Sequence, residues 1–330
     1  MGYPFRIMTL LHPVASGKGG VGKTVFVANL GVTLARRRKT VVLVDLDLGG
    51  SNLHTLLGVK NRHPGLGGFI AGEESAFAAL PVETGVERLY LIPGDGLLPG
   101  TANMPYFTKR RIMKGILSLD ADFVILDLGA GTSFNVADFW LLSSTGILVI
   151  TPETTSILNA YSLLKTVLFR LLLLSFPAKS PERTAISSFA SKRIEGSPLR
   201  LPALLETLSG IRPESGEKAR SQLKRLYPKV LMNMGGDASD VALCVKLREI
   251  AVKNLALDVE YFGLLPADPH VPHSVQARQP LAVSRPDASY CRAVDEVASR
   301  LLALKDSPSP ILHEPGEDID SLMSPTGTTV

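Results

Sequence analysis

Cysteine is scarce: the 330 residues hold two, Cys244 and Cys291, far apart and in no C-x-x-C pair. That excludes a disulfide framework, a cysteine-rich zinc site and an iron–sulfur carrier needing such a pair, and it fits a reducing compartment. Aromatic residues make up 6% with a single Trp, so a core must be built from Leu, Val, Ile and Ala. No stretch approaches the roughly 18 uninterrupted apolar residues of a spanning helix. The apolar patch Ile7 to Leu11 is too short for a signal-peptide core and lacks a cleavage site. A cytoplasmic location is the expectation.

Charge is present but unevenly placed. The whole chain carries +4, whereas Arg170 to Lys229 holds twelve Lys/Arg against five Glu, a net +7. From Lys305 to Val330 one Lys faces five acids, a net −4. Basicity belongs to one segment.

The first half alternates strand and helix signals. Thr40 to Val44, Leu89 to Ile92, Phe123 to Leu126 and Gly146 to Ile150 read as buried strands, and Lys23 to Arg37 as a helix. The pattern resumes with strands at Lys229 to Met232 and Tyr261 to Leu265, and helices at Asp240 to Lys253 and Asp287 to Leu304. Continuous apolar strands separated by helical lengths predict an α/β fold: a doubly wound, mostly parallel sheet with helices on both faces. Residues 1–170 and 229–305 form its two parts. Residues 171–228, rich in Pro, Ser, Arg and Lys with helical pieces near Leu201 to Leu208 and Glu217 to Leu226, read as a basic, mainly helical insertion. The acidic, Pro-rich tail 306–330 is expected to be disordered.

Gly17-Lys-Gly-Gly-Val-Gly-Lys-Thr24 fits the phosphate-loop spacing G-x-x-x-x-G-K-[ST], between a strand and a helix as the motif requires. Glycines let the backbone wrap a phosphate, successive N–H groups converge on the anion, and the helix adds its positive end. Lys23 would bridge the β- and γ-phosphates, and Thr24 would offer its hydroxyl to Mg²⁺. Val44-Asp-Leu-Asp47 and Phe123-Val-Ile-Leu-Asp127 each end a strand in carboxylates, at the edge where open α/β sheets bind ligands. On spacing alone, Asp45 and Asp47 could equally cap the following turn.

With Lys18 included, Lys18 to Thr24 resembles the K-G-G-V-G-K-[ST] loop of the MinD/ParA family of deviant Walker A ATPases, in its MinD/FlhG-like branch. The family pattern D-x-D-x-G-x-x-N matches at Asp45, Asp47, Gly49 and Asn52, and Asp127 with Leu128-Gly-Ala-Gly131 resembles its Walker B and switch II. The resemblance implies a P-loop fold that binds ATP with Mg²⁺ in a homodimer sandwiching two nucleotides. It implies Lys18 acting on phosphate across the interface and Asp47 orienting or deprotonating the attacking water. It implies Thr24, Asp45 and Asp127 around the metal, with Asp45 also supporting the switch. Gly17, Gly19, Gly20, Val21, Gly22 and Val25 complete the cradle, although Val25 stands where many relatives carry Thr or Ser. Asn233, Pro266 and Asp268 fall where relatives contact the base.

Thr151-Pro-Glu-Thr-Thr-Ser156 also resembles this branch, but Asn159 replaces a frequent Asp; Ser156 or Thr155 could simply be a helix cap. Asp268, His270 and His273 read as a turn with solvated imidazoles, not a metal site. Arg36 to Lys39 reads as a solvated helix end.

The implied function is a slow ATPase acting as a spatial switch in cell division, chromosome or plasmid partition, or flagellar placement. A protein activator or cargo is implied, and DNA or anionic lipid could meet the basic 170–229 segment, at the inner membrane face or the nucleoid. The alternatives are a metabolic ligase of the cobyrinic acid diamide synthase or dethiobiotin synthetase type, and a nucleotide-binding scaffold without hydrolysis.

Overall fold

A computed structural model describes residues 9–60, 65–74, 76–94, 104–191, 200–236 and 238–304. The expected disordered tail 306–330 lies outside the described residues, as do Lys192 and Arg193 of the basic segment.

Eight strands form one sheet in the order β3-β4-β2-β5-β1-β6-β7-β8. They are β1 (Leu10–Ser16), β2 (Val41–Leu46), β3 (Val82–Glu83), β4 (Leu89–Ile92), β5 (Phe123–Ala130), β6 (Ile147–Ile150), β7 (Lys229–Gly235) and β8 (Glu260–Pro266). All neighbours pair in parallel except β3, a two-residue antiparallel edge on β4. β1 lies between β5 and β6, so the chain winds outward from it in both directions. That reversal opens a crevice at the carboxyl ends of the strands.

Each strand reads as an apolar run because both faces are covered. On β5, Val124, Leu126 and Leu128 enter one apolar layer, and Phe123 and Ile125 the other. The first layer lies under α4 (Tyr106–Leu117), α5 (Phe134–Trp140), α6 (Thr154–Ser175) and α10 (Ala238–Leu255); the second lies under α1 (Lys23–Arg36), α12 (Leu281–Ser284) and α13 (Ser289–Ala303). Short helices α2 (Leu53–Leu56), α3 (Leu66–Ala71) and α11 (His270–Gln276) fill loops at the sheet's rim. The expected α/β, doubly wound architecture is thus observed.

The basic segment is helical: α7 (Pro181–Ser191), α8 (Leu201–Ile211) and α9 (Pro213–Lys224). Its expected start at 171 falls inside α6, which runs unbroken to Ser175. Leu201, Leu204, Leu208, Ala219 and Leu223 join the first apolar layer, so these helices extend the main core. Arg170 and Lys229 at the segment's ends are turned inward, onto Asp138 and Glu260.

By length and composition α6 could cross a membrane. Its buried residues include Leu163, Leu164, Val167, Leu168 and Leu172. Each such buried aliphatic side chain contributes roughly 1.5–3 kcal/mol to the core, while Leu158 and Leu174 on the same helix are about half exposed.

The run Arg36 to Lys39 does more than end a helix. Arg36 donates to the carbonyl of Ala282, and Arg37 pairs with Asp295 at 2.5 Å, tying α1 to α12 and α13.

Candidate nucleotide site

The sequence-predicted residues converge on the carboxyl edge of the sheet. The loop after β1 carries Gly17 to Gly22, β2 carries Asp45 with Asp47 just past its end, β5 carries Asp127, and β7 and β8 carry Asn233 and Pro266.

The loop is shaped by what it must pass. A Cβ on Gly17 would lie 2.2 Å from the backbone carbonyl of Asn159, so only glycine lets the loop run against α6. Gly20 and Gly22 both take φ of 81°, the left-handed region. A side chain at 22 would strike Asn233 Nδ2 at 2.3 Å. Gly19 and Gly20 have nothing near their Cβ positions, so that side of the loop is open to an incoming group.

Lys23, at the first position of α1, is buried and paired with Oδ1 of the buried Asp127. Oδ2 of Asp127 is buried with no hydrogen-bond partner. Burial pushes the Asp127 carboxyl up, against the pull of the Lys23 charge and of hydrogen bonds from Lys23 and Thr24. A desolvated carboxylate oxygen lacking a partner, beside the Thr24 hydroxyl, suits a hard divalent cation such as Mg²⁺.

Asp45 and Asp127 are register partners on β2 and β5. Burial, and then the Asp127 charge, raise the Asp45 carboxyl to about 7. Its oxygens are both engaged: Oδ1 accepts from Asp47 N–H at 3.1 Å, and Oδ2 from Ser51 Oγ at 2.7 Å and Leu53 N–H at 3.1 Å. Asp45 thereby ties the 47–53 loop to the end of β2, with Oδ2 taking two bonds and Oδ1 one. Asp47 is half-buried, with Oδ1 3.3 Å from where a Cβ on Gly129 would lie. Gly131 N–H donates to Ser16 O at 2.9 Å, fastening the loop after β5 to the end of β1.

Lys18 stands outside this buried group. Its side chain is 41% exposed, its Nζ is 2.5 Å from Glu153 Oε2, and Thr155 Oγ1 is 3.4 Å away. The ammonium holds the Glu153 carboxyl below its ordinary value. Sequence reasoning quoted the Thr151 to Ser156 stretch but missed this pairing, because nothing local links residues 135 positions apart. Neither Ser156 nor Thr155 caps α6. The N-cap is Glu153, without a side-chain bond, and Ser156 Oγ accepts from Thr151 N–H at 3.0 Å.

A cavity of about 220 Å³ opens beside the loop, between Gly22, Val25, Asn233, Pro266, Asp268 and Val271. The residues expected at a base thus do line one cleft. Two of their polar groups are already engaged within the protein. Asn233 Nδ2 donates to Val21 O at 2.8 Å, bracing the phosphate loop. Asp268 accepts from the His270 backbone and ring at 2.9 Å and from Ser289 Oγ at 3.0 Å. Burial alone would raise its carboxyl, but these bonds and one from the Tyr290 backbone hold it at about 2. His270 and His273 join no group that could hold a metal among the described residues.

The chain is similar to known proteins in sequence and in fold. The CobQ/CobB/MinD/ParA nucleotide binding domain matches residues 13–281. An uncharacterized ATP-binding protein of Methanocaldococcus jannaschii is 25% identical over 91% of this chain and 90% of its own. The septum site-determining protein MinD of Bacillus subtilis is 35% identical over 44% of this chain, which spans 55% of that relative. Among solved structures, MinD of Pyrococcus horikoshii complexed with Mg-ADP superposes with a TM-score of 0.58 at 20% identity, over 92% of this chain and all of the other.

Proposed function

Given that the chain belongs to the CobQ/CobB/MinD/ParA family of nucleotide-binding domains, we propose that it is an ATPase whose ATP-bound form is a homodimer acting as a spatial switch. The observation that carries this reading is the contrast between its two lysines. Lys23, Asp45 and Asp127 are buried, whereas Lys18 lies at the rim, 41% exposed and held by Glu153 of its own chain. A cation in that position is placed to leave Glu153 and meet phosphate bound to a second copy, stabilising charge on the transferring group as an arginine finger does.

Within one subunit the residues divide the work. Backbone N–H groups of Gly19 to Thr24 and the start of α1 would bind the phosphates. Lys23 would exchange its bond to Asp127 for the β- and γ-phosphate oxygens, which frees the Asp127 carboxylate as Lys23 moves. Thr24 and Asp127 would hold Mg²⁺, which supplies charge neutralisation on those oxygens when bound. Asp47, against Gly129 and fixed through its N–H by Asp45, would orient the attacking water and accept its proton. Val25 contributes no hydroxyl to this cradle. Hydrolysis would then depend on assembling the site in the dimer.

We place the protein in the cytoplasm, with the dimer meeting a protein partner, the inner membrane face or the nucleoid; the helices between 170 and 229 are the candidate surface. Septum placement, partition and flagellar placement are the processes that such a switch serves. Mass photometry with no nucleotide, with ADP and with ATP, using Asp47→Ala to block hydrolysis, tests the core of the reading. A dimer only with ATP, lost on Lys18→Ala, is expected. A chain that stays monomeric at saturating ATP, or a dimer indifferent to Lys18, would overturn it.

A further inference from the structure

Asp45 is wholly buried, paired in register with Asp127 on the next strand, and a buried carboxylate has to be satisfied by donors around it. Among the described residues, the three donors on its oxygens all come from the loop that follows it. They are the Asp47 and Leu53 N–H groups and the Ser51 hydroxyl. The two N–H groups belong to the backbone, and any residue except proline would supply them. The hydroxyl depends on the side chain at 51. Ser51 is half-buried between the exposed Gly50 and Asn52, and its 2.7 Å bond to Asp45 Oδ2 is the shortest of the three.

These bonds decide which way each oxygen points. A carboxylate turns readily about its last side-chain torsion, whose energy profile is broad and two-fold. With Oδ2 held by Ser51 and Leu53, that turn is stopped, and Oδ1 stays on the Asp47 N–H at 3.1 Å. Asp47 is closed into a tight turn, its carbonyl accepting from Gly50 N–H at 3.0 Å. Its Oδ1 stands 3.3 Å from where a Cβ on Gly129 of β5 would lie. The loop after β4 closes the other side. A Cβ on Gly94 would lie 2.6 Å from the Asp45 carbonyl oxygen and 3.2 Å from Ser51 Oγ, so a side chain there would press on the pair.

We propose that Ser51 is a positioning residue for ATP hydrolysis: its hydroxyl fixes the rotation of the Asp45 carboxylate, and that carboxylate fixes where Asp47 stands. The inference rests on the ATPase reading and deepens it by naming the side chain behind the residue that orients the attacking water. Ser51 acts only through Asp45 and performs no step itself. Without its hydroxyl, Asp45 Oδ2 keeps the single bond from Leu53, and the carboxylate turns away from Asp47 for part of the time. Asp47 then meets the water out of line and hydrolysis slows. The phosphate loop, Lys23 and Thr24 keep their places, so nucleotide binding does not suffer with it.

The test uses the full chain with Ser51→Ala, and with Ser51→Thr as the variant that keeps a hydroxyl. Phosphate release is followed from low to saturating ATP, ATP affinity by calorimetry, and the dimer fraction at saturating ATP by mass photometry. Ser51→Ala is expected to lower kcat about tenfold, the worth of one hydrogen bond to a charged group, with ATP affinity and dimer fraction within about twofold of wild type. Ser51→Thr should recover most of the rate. A hydroxyl that merely orders the loop would instead move affinity or assembly together with rate. Wild-type turnover in Ser51→Ala, a loss of affinity or dimer matching the loss of rate, or a Ser51→Thr variant as slow as alanine would overturn this inference alone. Absence of ATP hydrolysis by the wild-type chain would overturn both readings.

Discussion

The Lys18 ammonium lies 2.5 Å from the Glu153 carboxylate of the same chain, at the exposed rim of a site in which Lys23, Asp45 and Asp127 are buried. Any role for Lys18 in a second subunit requires that bond to be exchanged. Glu153→Gln removes its charge while keeping an acceptor for Lys18. In the Asp47→Ala background, the variant is expected to dimerise with ATP at several-fold lower protein concentration than its Glu153 parent. Mass photometry across a concentration series reads this directly, and an unchanged midpoint would show that the contact does not restrain Lys18.

Gly17 is fixed by sterics. Because a Cβ there would meet the Asn159 carbonyl at 2.2 Å, Gly17→Ala must push the phosphate loop away from α6. Nucleotide affinity should fall at least about tenfold, the scale of a misplaced binding group. The fold should remain, since the apolar layers are untouched. Calorimetry paired with circular dichroism separates the two effects.

Asp138 joins three helices. Its carboxylate takes Lys109 of α4 at 2.6 Å and Arg170 of α6, and the Arg170 guanidinium also lies over the Phe134 ring at 5.1 Å. Asp138→Ala leaves two largely buried cations without their counter-ion, and breaking such a group costs about 3–5 kcal/mol. Urea unfolding should show a loss of that order. A loss under about 1 kcal/mol would mean that both cations reach water without strain.

His12 sets an acid limit. Burial, with the Lys229 charge adding to it, lowers its imidazole to about 4. Unfolding returns it to its ordinary value of about 6.5, so the unfolded chain binds the extra proton between these values. Stability from this group is therefore complete above about pH 6.5 and is lost as pH falls towards 4, by up to about 3 kcal/mol. Asp45, raised to about 7, acts with the opposite sign, its contribution declining as pH rises from about 4 to 7. The difference between wild type and His12→Phe isolates the histidine. That difference should grow in favour of the variant from pH 6.5 down to 4, as read by urea midpoints, and a flat difference would contradict the assignment.

What the sequence by itself determined was the set of groups that must be local. A phosphate loop needs contiguous backbone, so Gly17 to Thr24 declares itself by spacing. Strands covered on both faces read as apolar runs, so the acids that end them, Asp45, Asp47 and Asp127, were placed at the right edge before any coordinates. Short or amphipathic pieces were less legible. The two-residue β3 is too short to show a period, α4, α5 and α7 were missed, and α6 runs through the expected boundary at 171, with α7 and α9 packed against it.

Only the tertiary structure decided which groups meet. It turned Asp45 onto its own loop, gave Asn233 to Val21 and Asp268 to α13, and brought Glu153 to Lys18. These pairings depend on strand order, which sets β6 beside β1 and β7 beyond it although long stretches of chain separate them. A hydrogen bond is satisfied or orphaned only by what arrives in space, so neither the engaged Asp268 nor the unpartnered Tyr290 hydroxyl could be read from residue order.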